Sequence, residues 1–297
     1  MNTGKIVRCF LAAAMAVLLL SGCGRKNTVP TVPDYSEKPG QAVQYIHSHP
    51  VGTTVRYDLN GDGTGENITV NAKECESGKL TIGNSSVEFW SDTPTGYFTI
   101  LNVDASKTTL LVGISDYGPS DDPETRFYAY DGTSIREVGY LSDIFGQNMY
   151  GHDSAVCHGD GTVTAKRRWN VLGSWNTVGL YKVSKTGVED ITDFYPFIDW
   201  GGNLSTWEVK AKVDIITYGT TTDPDMKTLQ TVPAGTVMRM TGLQITEGEN
   251  SFWVAFDVDR MGTRWVPVER MEWVCYIHTG IGFVNSEQAF DGFFYAG

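Results

Sequence analysis

Val55-Arg56-Tyr57-Asp58-Leu59-Asn60-Gly61-Asp62-Gly63-Thr64-Gly65-Glu66-Asn67-Ile68-Thr69-Val70 carries the pattern on which the fold reading turns. Oxygen-bearing side chains recur at 58, 60, 62 and 66, separated by glycines, and apolar residues alternate on either side. Ile68 and Val70 alternate with Asn67 and Thr69, a period of two that marks half-buried strands. The stretch therefore reads as an acidic turn between two strands. The same texture extends outward. Leu80 and Ile82 precede a turn at Gly83-Asn84-Ser85, and Val87 and Phe89 follow it. Further strands are expected at Tyr97–Leu101, Thr109–Ile114, Arg126–Tyr130, Ile135–Val138, Val163–Trp169 and Val178–Val183. Asp131-Gly132 marks a hairpin between two of them. Only Ala42–His47 suggests a short helix, and no segment carries a long amphipathic one. The fold class is all-β.

Three stretches read as loose copies of one unit. They begin at Tyr57–Asp62, at Leu101-Asn102-Val103-Asp104, and around His158-Gly159-Asp160-Gly161-Thr162-Val163. Each places an acidic turn before a β-branched strand. A several-stranded repeat of this size is the signature of propeller-type blades, and three copies are too few to close a propeller. Residues 46–200 are expected to form an incomplete β-propeller-like domain, with a sandwich as the alternative.

The 297-residue chain carries a formal charge of −12, which excludes a sequence-independent grip on nucleic acid. Its first 22 residues read as a leader. Lys5 and Arg8 precede an unbroken apolar run, Cys9–Leu20, too short to span a bilayer and right for a signal peptide. The run ends in Leu20-Ser21-Gly22-Cys23, the pattern of a bacterial lipobox, so Cys23 is the expected lipidation site. Losing Lys5 and Arg8 with the leader takes the formal charge from −12 to −14. Residues 23–45, with Pro30, Pro33 and Pro39, read as a tether holding the folded part off the membrane. The expected location is extracytoplasmic, lipid-anchored to the cell membrane. Cys75, Cys157 and Cys275 remain, odd in number and without metal-type spacing. The five histidines lack HExxH spacing, and His47 and His49 read as solvated near a turn before Pro50.

Asp58, Asn60, Asp62 and Glu66, with the carbonyl of Thr64, offer hard oxygen ligands at positions 1, 3, 5, 9 and 7 of a tight loop. Calcium takes six to eight such ligands. One calcium site is expected there. It is no EF-hand, because position 12 is Thr69 and the flanks are strands. The loop resembles those of FG-GAP and VCBS-type β-propeller repeats. A second acidic stretch, Asp116-Tyr117-Gly118-Pro119-Ser120-Asp121-Asp122-Pro123-Glu124, reads as a solvated loop. It is also the one place where paired carboxylates could do glycosidase work. No GxSxG, Walker or dinucleotide motif occurs, so no nucleophile or nucleotide site is read.

The lipobox, the Asp58–Gly63 loop, and Asp116–Asp122 followed by Phe127-Tyr128-Ala129-Tyr130-Asp131-Gly132 are together similar to a family of surface lipoproteins of Gram-positive, Clostridia-type bacteria. The resemblance implies a calcium-binding ectodomain rather than an enzyme. Beyond Trp207 the texture changes. Val209–Tyr218 reads as one strand. Val232-Pro233-Ala234-Gly235-Thr236-Val237-Met238, Phe252-Trp253-Val254-Ala255-Phe256 and Gly262-Thr263-Arg264-Trp265-Val266-Pro267 resemble bacterial SH3-like modules. Residues 201–276 are therefore expected to form a small SH3-like β-barrel, and 277–297 an aromatic tail. In that family such modules often bind cell-wall peptides or glycans. Trp253 and Trp265 are the candidates for contact, although large aromatics in small barrels mostly fill the interior. Two function classes follow. One is a non-catalytic surface protein binding wall peptide, glycan or another surface protein. The other is an extracytoplasmic glycan hydrolase using the acidic loop.

Overall fold

The computed structural model describes residues 45–119, 122–147, 155–199, 201–222, 228–246, 250–272, 274–279 and 282–293. The expected signal peptide, Cys23, most of the tether, Asp121, Phe294 and Tyr295 lie outside the described residues. Nearly all regular structure is antiparallel strand. Of the short helix expected over Ala42–His47, residues 42–44 lie outside the described residues, and Ile46 and His47 belong to β1 (Ile46–Pro50) instead. Its pairing partner decides this: His47 faces Ile100 and His49 faces Phe98 on β6 (Pro94–Leu101), about 50 residues away in sequence.

Two sheets stack over the first core. One is a meander of β2 (Thr54–Tyr57), β3 (Glu66–Asn71), β4 (Glu76–Ile82) and β5 (Ser85–Ser91). The other runs β1-β6-β7-β8-β9, with β7 at Leu111–Asp116, β8 at Glu124–Tyr130 and β9 at Ile135–Leu141. Ile68, Val70, Leu80 and Ile82 from the first sheet pack against Phe98, Ile100, Val112 and Ile114 from the second. The opposite face of the second sheet is buried as well. Leu101, Leu111, Phe127 and Leu141 meet Val163, Ala165, Tyr181 and Val183. That double coverage explains why β7 reads Leu-Val-Gly-Ile-Ser with no polar alternation, as strands covered on both faces do.

Val163 to Val183 belong to a third sheet, which begins with β10 (Val156–Cys157), β11 (Thr162–Asn170), β12 (Ser174–Ser184) and β13 (Gly187–Asp190). It does not stop at residue 200. β14 (Tyr195–Ile198) pairs with β12 on one side and β18 (Val237–Ile245) on the other. β15 (Trp207–Ala211) takes the other half of the same β18 edge, and a bulge between Met240 and Gly242 separates the two partners. The sheet continues through β19 (Ser251–Val258), β20 (Gly262–Met271) and β21 (Val274–Thr279) to β16 (Ile215–Thr217) and β17 (Gln230–Val232). No sheet closes into a barrel among the described residues, because this one runs on into β12. Its core is shared across position 201: Trp169, Trp175 and Phe197 pack with Val209, Met240, Phe252 and Val268.

The strand expected over Val209–Tyr218 is broken in two. Asp214 leaves the ladder and accepts the Ala234 amide at 2.9 Å. Beyond β21 the chain adds β22 (Gly282–Asn285), a one-turn helix α1 (Ser286–Ala289) and β23 (Phe290–Asp291). Asn285 and Gln288 form a reciprocal capping box at that helix. Phe290 is buried against Phe256, with ring centroids 5.6 Å apart, and Phe293 packs on Phe290. This part of the aromatic tail is core.

Candidate functional site

The acidic loop connects β2 to β3. Leu59 is buried in the first core and fixes the loop's inner side. Gly61 and Gly63 take left-handed φ angles of 80° and 87°, which residues without a Cβ adopt freely. A Cβ on Gly61 would collide with the Thr108 side chain, so the loop lies hard against the β6–β7 connection. Asp58 accepts the amides of Gly61 (2.8 Å), Asp62 (3.1 Å) and Gly63 (2.8 Å). Asp62 accepts the Thr64 amide at 2.7 Å and the Asn60 side-chain amide at 2.9 Å. Glu66 reaches back from β3 to accept the Leu59 amide at 3.0 Å. The Asn60 and Thr64 hydrogen bonds hold the Asp62 carboxyl below its usual range.

The donor set is all oxygen and suits a hard cation such as calcium. The carboxylates here are turned onto the loop's own N–H groups. Among the described residues no three His, Cys, Asp or Glu side chains gather around one point. The turns at Asp104 and Asp160 are simpler. Asp104 accepts the Ser106 amide and pairs with Lys107, and Asp160 accepts the Thr162 amide. One aspartate suffices to close each of those turns. The first loop carries Asp62 and Glu66 in addition.

The second acidic stretch borders a cleft of about 130 Å³ lined by Trp90, Asp92, Asp116, Asp122, Glu124 and Arg126. Asp116 is committed to the scaffold there. It accepts the Ser91 hydroxyl at 2.6 Å, the Thr93 amide at 2.9 Å and the Gly118 amide at 2.7 Å, tying β5 to the end of β7. Glu124 is paired with Arg126 at 2.6 Å.

Trp253 and Trp265 are not in the buried core. Along β19 the core takes Phe252, Val254 and Phe256, and along β20 it takes Val266 and Val268. Alternation then turns Trp253 and Trp265 to the opposite face, where both are half-buried. Trp265 stands opposite Ala255 and Trp253 opposite Pro267, so the two indoles are diagonal neighbours. Tyr218 meets the Trp253 ring edge-on at 5.2 Å, and its backbone pairs with that of Trp265. Phe194 meets Trp265 at 5.8 Å. Beneath this strip, Arg264 is buried and donates to the hydroxyl and carbonyl of Thr217.

One buried group gave no signal in the sequence. Asp143, just after β9, is enclosed, and burial pushes its carboxyl up to about 6. It accepts the amides of Ile144 at 2.8 Å and Lys166 at 2.7 Å. An isolated Ser-Asp in a turn carries no mark that distinguishes it from a solvated one. Cys75, Cys157 and Cys275 are all free thiols. No helix among the described residues is long and apolar enough to cross a membrane. Compared with known proteins, the chain matches no family model, no curated protein and no solved structure.

Proposed function

We propose that this is a non-catalytic, extracytoplasmic binding protein, lipid-anchored through Cys23, that contacts cell-wall glycan or peptide with the outer face of β19 and β20. The aromatic strip Trp253, Tyr218, Trp265 and Phe194 is the observation that carries this reading. Large indoles placed on the solvent side of a sheet, braced edge-on by neighbouring rings, give a rigid apolar surface at low entropic cost. Sugar rings and flat peptide units stack on such surfaces. Trp253 and Trp265 lie on β19 and β20, among the β16 and β18–β21 strands for which an SH3-like module is proposed, and Tyr218, just after β16, and Phe194, just before β14, brace them. The three stacked sheets before it each carry an acidic turn between two of their strands, at β2–β3, β6–β7 and β10–β11, which supports the propeller-like reading of residues 46–200.

Calcium is assigned a structural part in the proposal. Asp58, Asn60, Asp62, Glu66 and the Thr64 carbonyl would hold it, after the carboxylates turn from the loop amides. Bound calcium would offset the mutual repulsion of three carboxylates within nine residues. Hydrolysis at the second acidic stretch is less well supported. Asp116 has its oxygens taken up by three donors, and Glu124 is held by Arg126. The test is calorimetric titration of the full chain with soluble muramidase-released wall fragments. Wild type should bind saturably, and Trp253→Ala with Trp265→Ala should abolish binding while leaving the melting transition cooperative. Equal binding by the double variant would refute the assignment of the site.

A further inference from the structure

We propose that His47 and His49 form a binding site for a borderline transition-metal dication, zinc being the reference ion, at the open edge of the first sheet pair. The sequence placed these residues in a solvated turn; the structure places both on β1. Residues two apart on a strand share a face, with Cβ atoms about 6.7 Å apart. Among the described residues β1 is the terminal strand of its sheet, so this face opens at the side of the sandwich. Tyr57 projects from the opposing sheet toward both rings. Its ring centroid is 6.1 Å from that of His47 and 5.5 Å from that of His49. Its hydroxyl lies 2.9 Å from Nε2 of His49. Phe98 closes the inner side of His49 at 5.5 Å, while His47 is exposed to solvent.

This arrangement meets the needs of an imidazole site in three ways. The two side chains leave one strand in parallel, so their nitrogens can close to the separation of about 3.3 Å that a tetrahedral zinc ion requires. Zinc and copper both take imidazole nitrogen as a ligand, and His47 stands exposed at the sheet edge, where an ion reaches it from solvent. The Tyr57 hydroxyl stands at the same mouth, where it can hydrogen-bond a water on the ion, and its bond to His49 is an exchangeable contact. Water completes the shell. The donors differ in kind from the all-oxygen loop at Asp58–Glu66, so the two sites select different ions.

The experiment is calorimetric titration of the full chain with zinc, in excess calcium so that the acidic loop is not the acceptor. Wild type should take up one zinc saturably. His47→Gln removes an exposed ligand without touching the core, and circular dichroism confirms its fold. It should weaken zinc binding by at least about tenfold, since loss of even an outer-shell partner costs that much. Asp62→Ala should bind zinc as wild type does. The proposal is overturned by absence of saturable zinc uptake, by unchanged affinity in His47→Gln, or by loss of zinc binding in Asp62→Ala.

Discussion

Trp169→Ala tests whether the chain folds as one body across residue 201. Trp169 lies on β11 and is 4% exposed. Its ring meets Tyr195 at 5.5 Å and Phe252 at 5.6 Å, so it joins β14 and β19 to the strand that carries it. Truncating a buried Trp to Ala costs about 3–5 kcal/mol through lost transfer energy and the cavity left behind. Two local details shift that figure in opposite directions. The guanidinium of Arg167 stacks 3.9 Å above the indole, a contact of about 0.5–2 kcal/mol that the variant forfeits. The indole N–H is buried and finds no acceptor among the described residues, so its removal relieves a penalty of about 1–3 kcal/mol. The two roughly cancel, leaving a loss of about 3–5 kcal/mol. The assay is denaturant unfolding with amide exchange resolved by segment. Protection should fall together in residues 162–184 and 251–271, because one core is being opened. Protection lost in the first segment and unchanged in the second would refute the shared core and leave 207–276 a separate domain.

Three further outcomes are expected. Asp143 binds its proton more tightly folded than unfolded, so its contribution is full below about pH 4 and is lost as pH rises through about 6. That loss amounts to about 3 kcal/mol. Asp143→Asn should flatten this part of the stability profile, and parallel profiles of variant and wild type between about pH 4 and 7 would show the carboxyl to be unperturbed. Calcium at 100 times its dissociation constant should stabilise the wild type by about 2.7 kcal/mol, and Asp62→Ala should remove most of that gain. Melting temperatures identical in calcium and in chelator would leave the loop a hydrogen-bonded turn. Cys23→Ser should be shed into the medium, and continued incorporation of labelled palmitate by that variant would refute the lipobox.

Much of the strand order was legible because alternation in sequence is alternation in space. Ile68 and Val70, Leu80 and Ile82, and Phe98 and Ile100 all point into the first core as their spacing requires. The position of the tryptophans was equally available: with Phe252, Val254 and Phe256 inside, residue 253 has to face out. Residue type alone points the other way, since large aromatics in small barrels mostly fill the interior. Pairing between distant segments was not legible. Ala42–His47 has the length of a helical turn, and only pairing with β6 makes Ile46–Pro50 a strand. Gly201-Gly202-Asn203 has the composition of a linker, yet Asp199 accepts the Asn203 amide at 2.9 Å and turns β14 tightly into β15. Both strands then lie on β18, whose sequence gives no sign of sharing an edge.

The binding face is tested most directly by the indole N–H resonances of the full chain, assigned by Trp→Phe replacement, as soluble wall fragments are added. The resonances of Trp253 and Trp265 should move saturably, while that of Trp90, beside the acidic cleft, stays in place. Movement of Trp90 with Trp253 and Trp265 unchanged would put the ligand in the cleft between β5 and β7 and contradict the account.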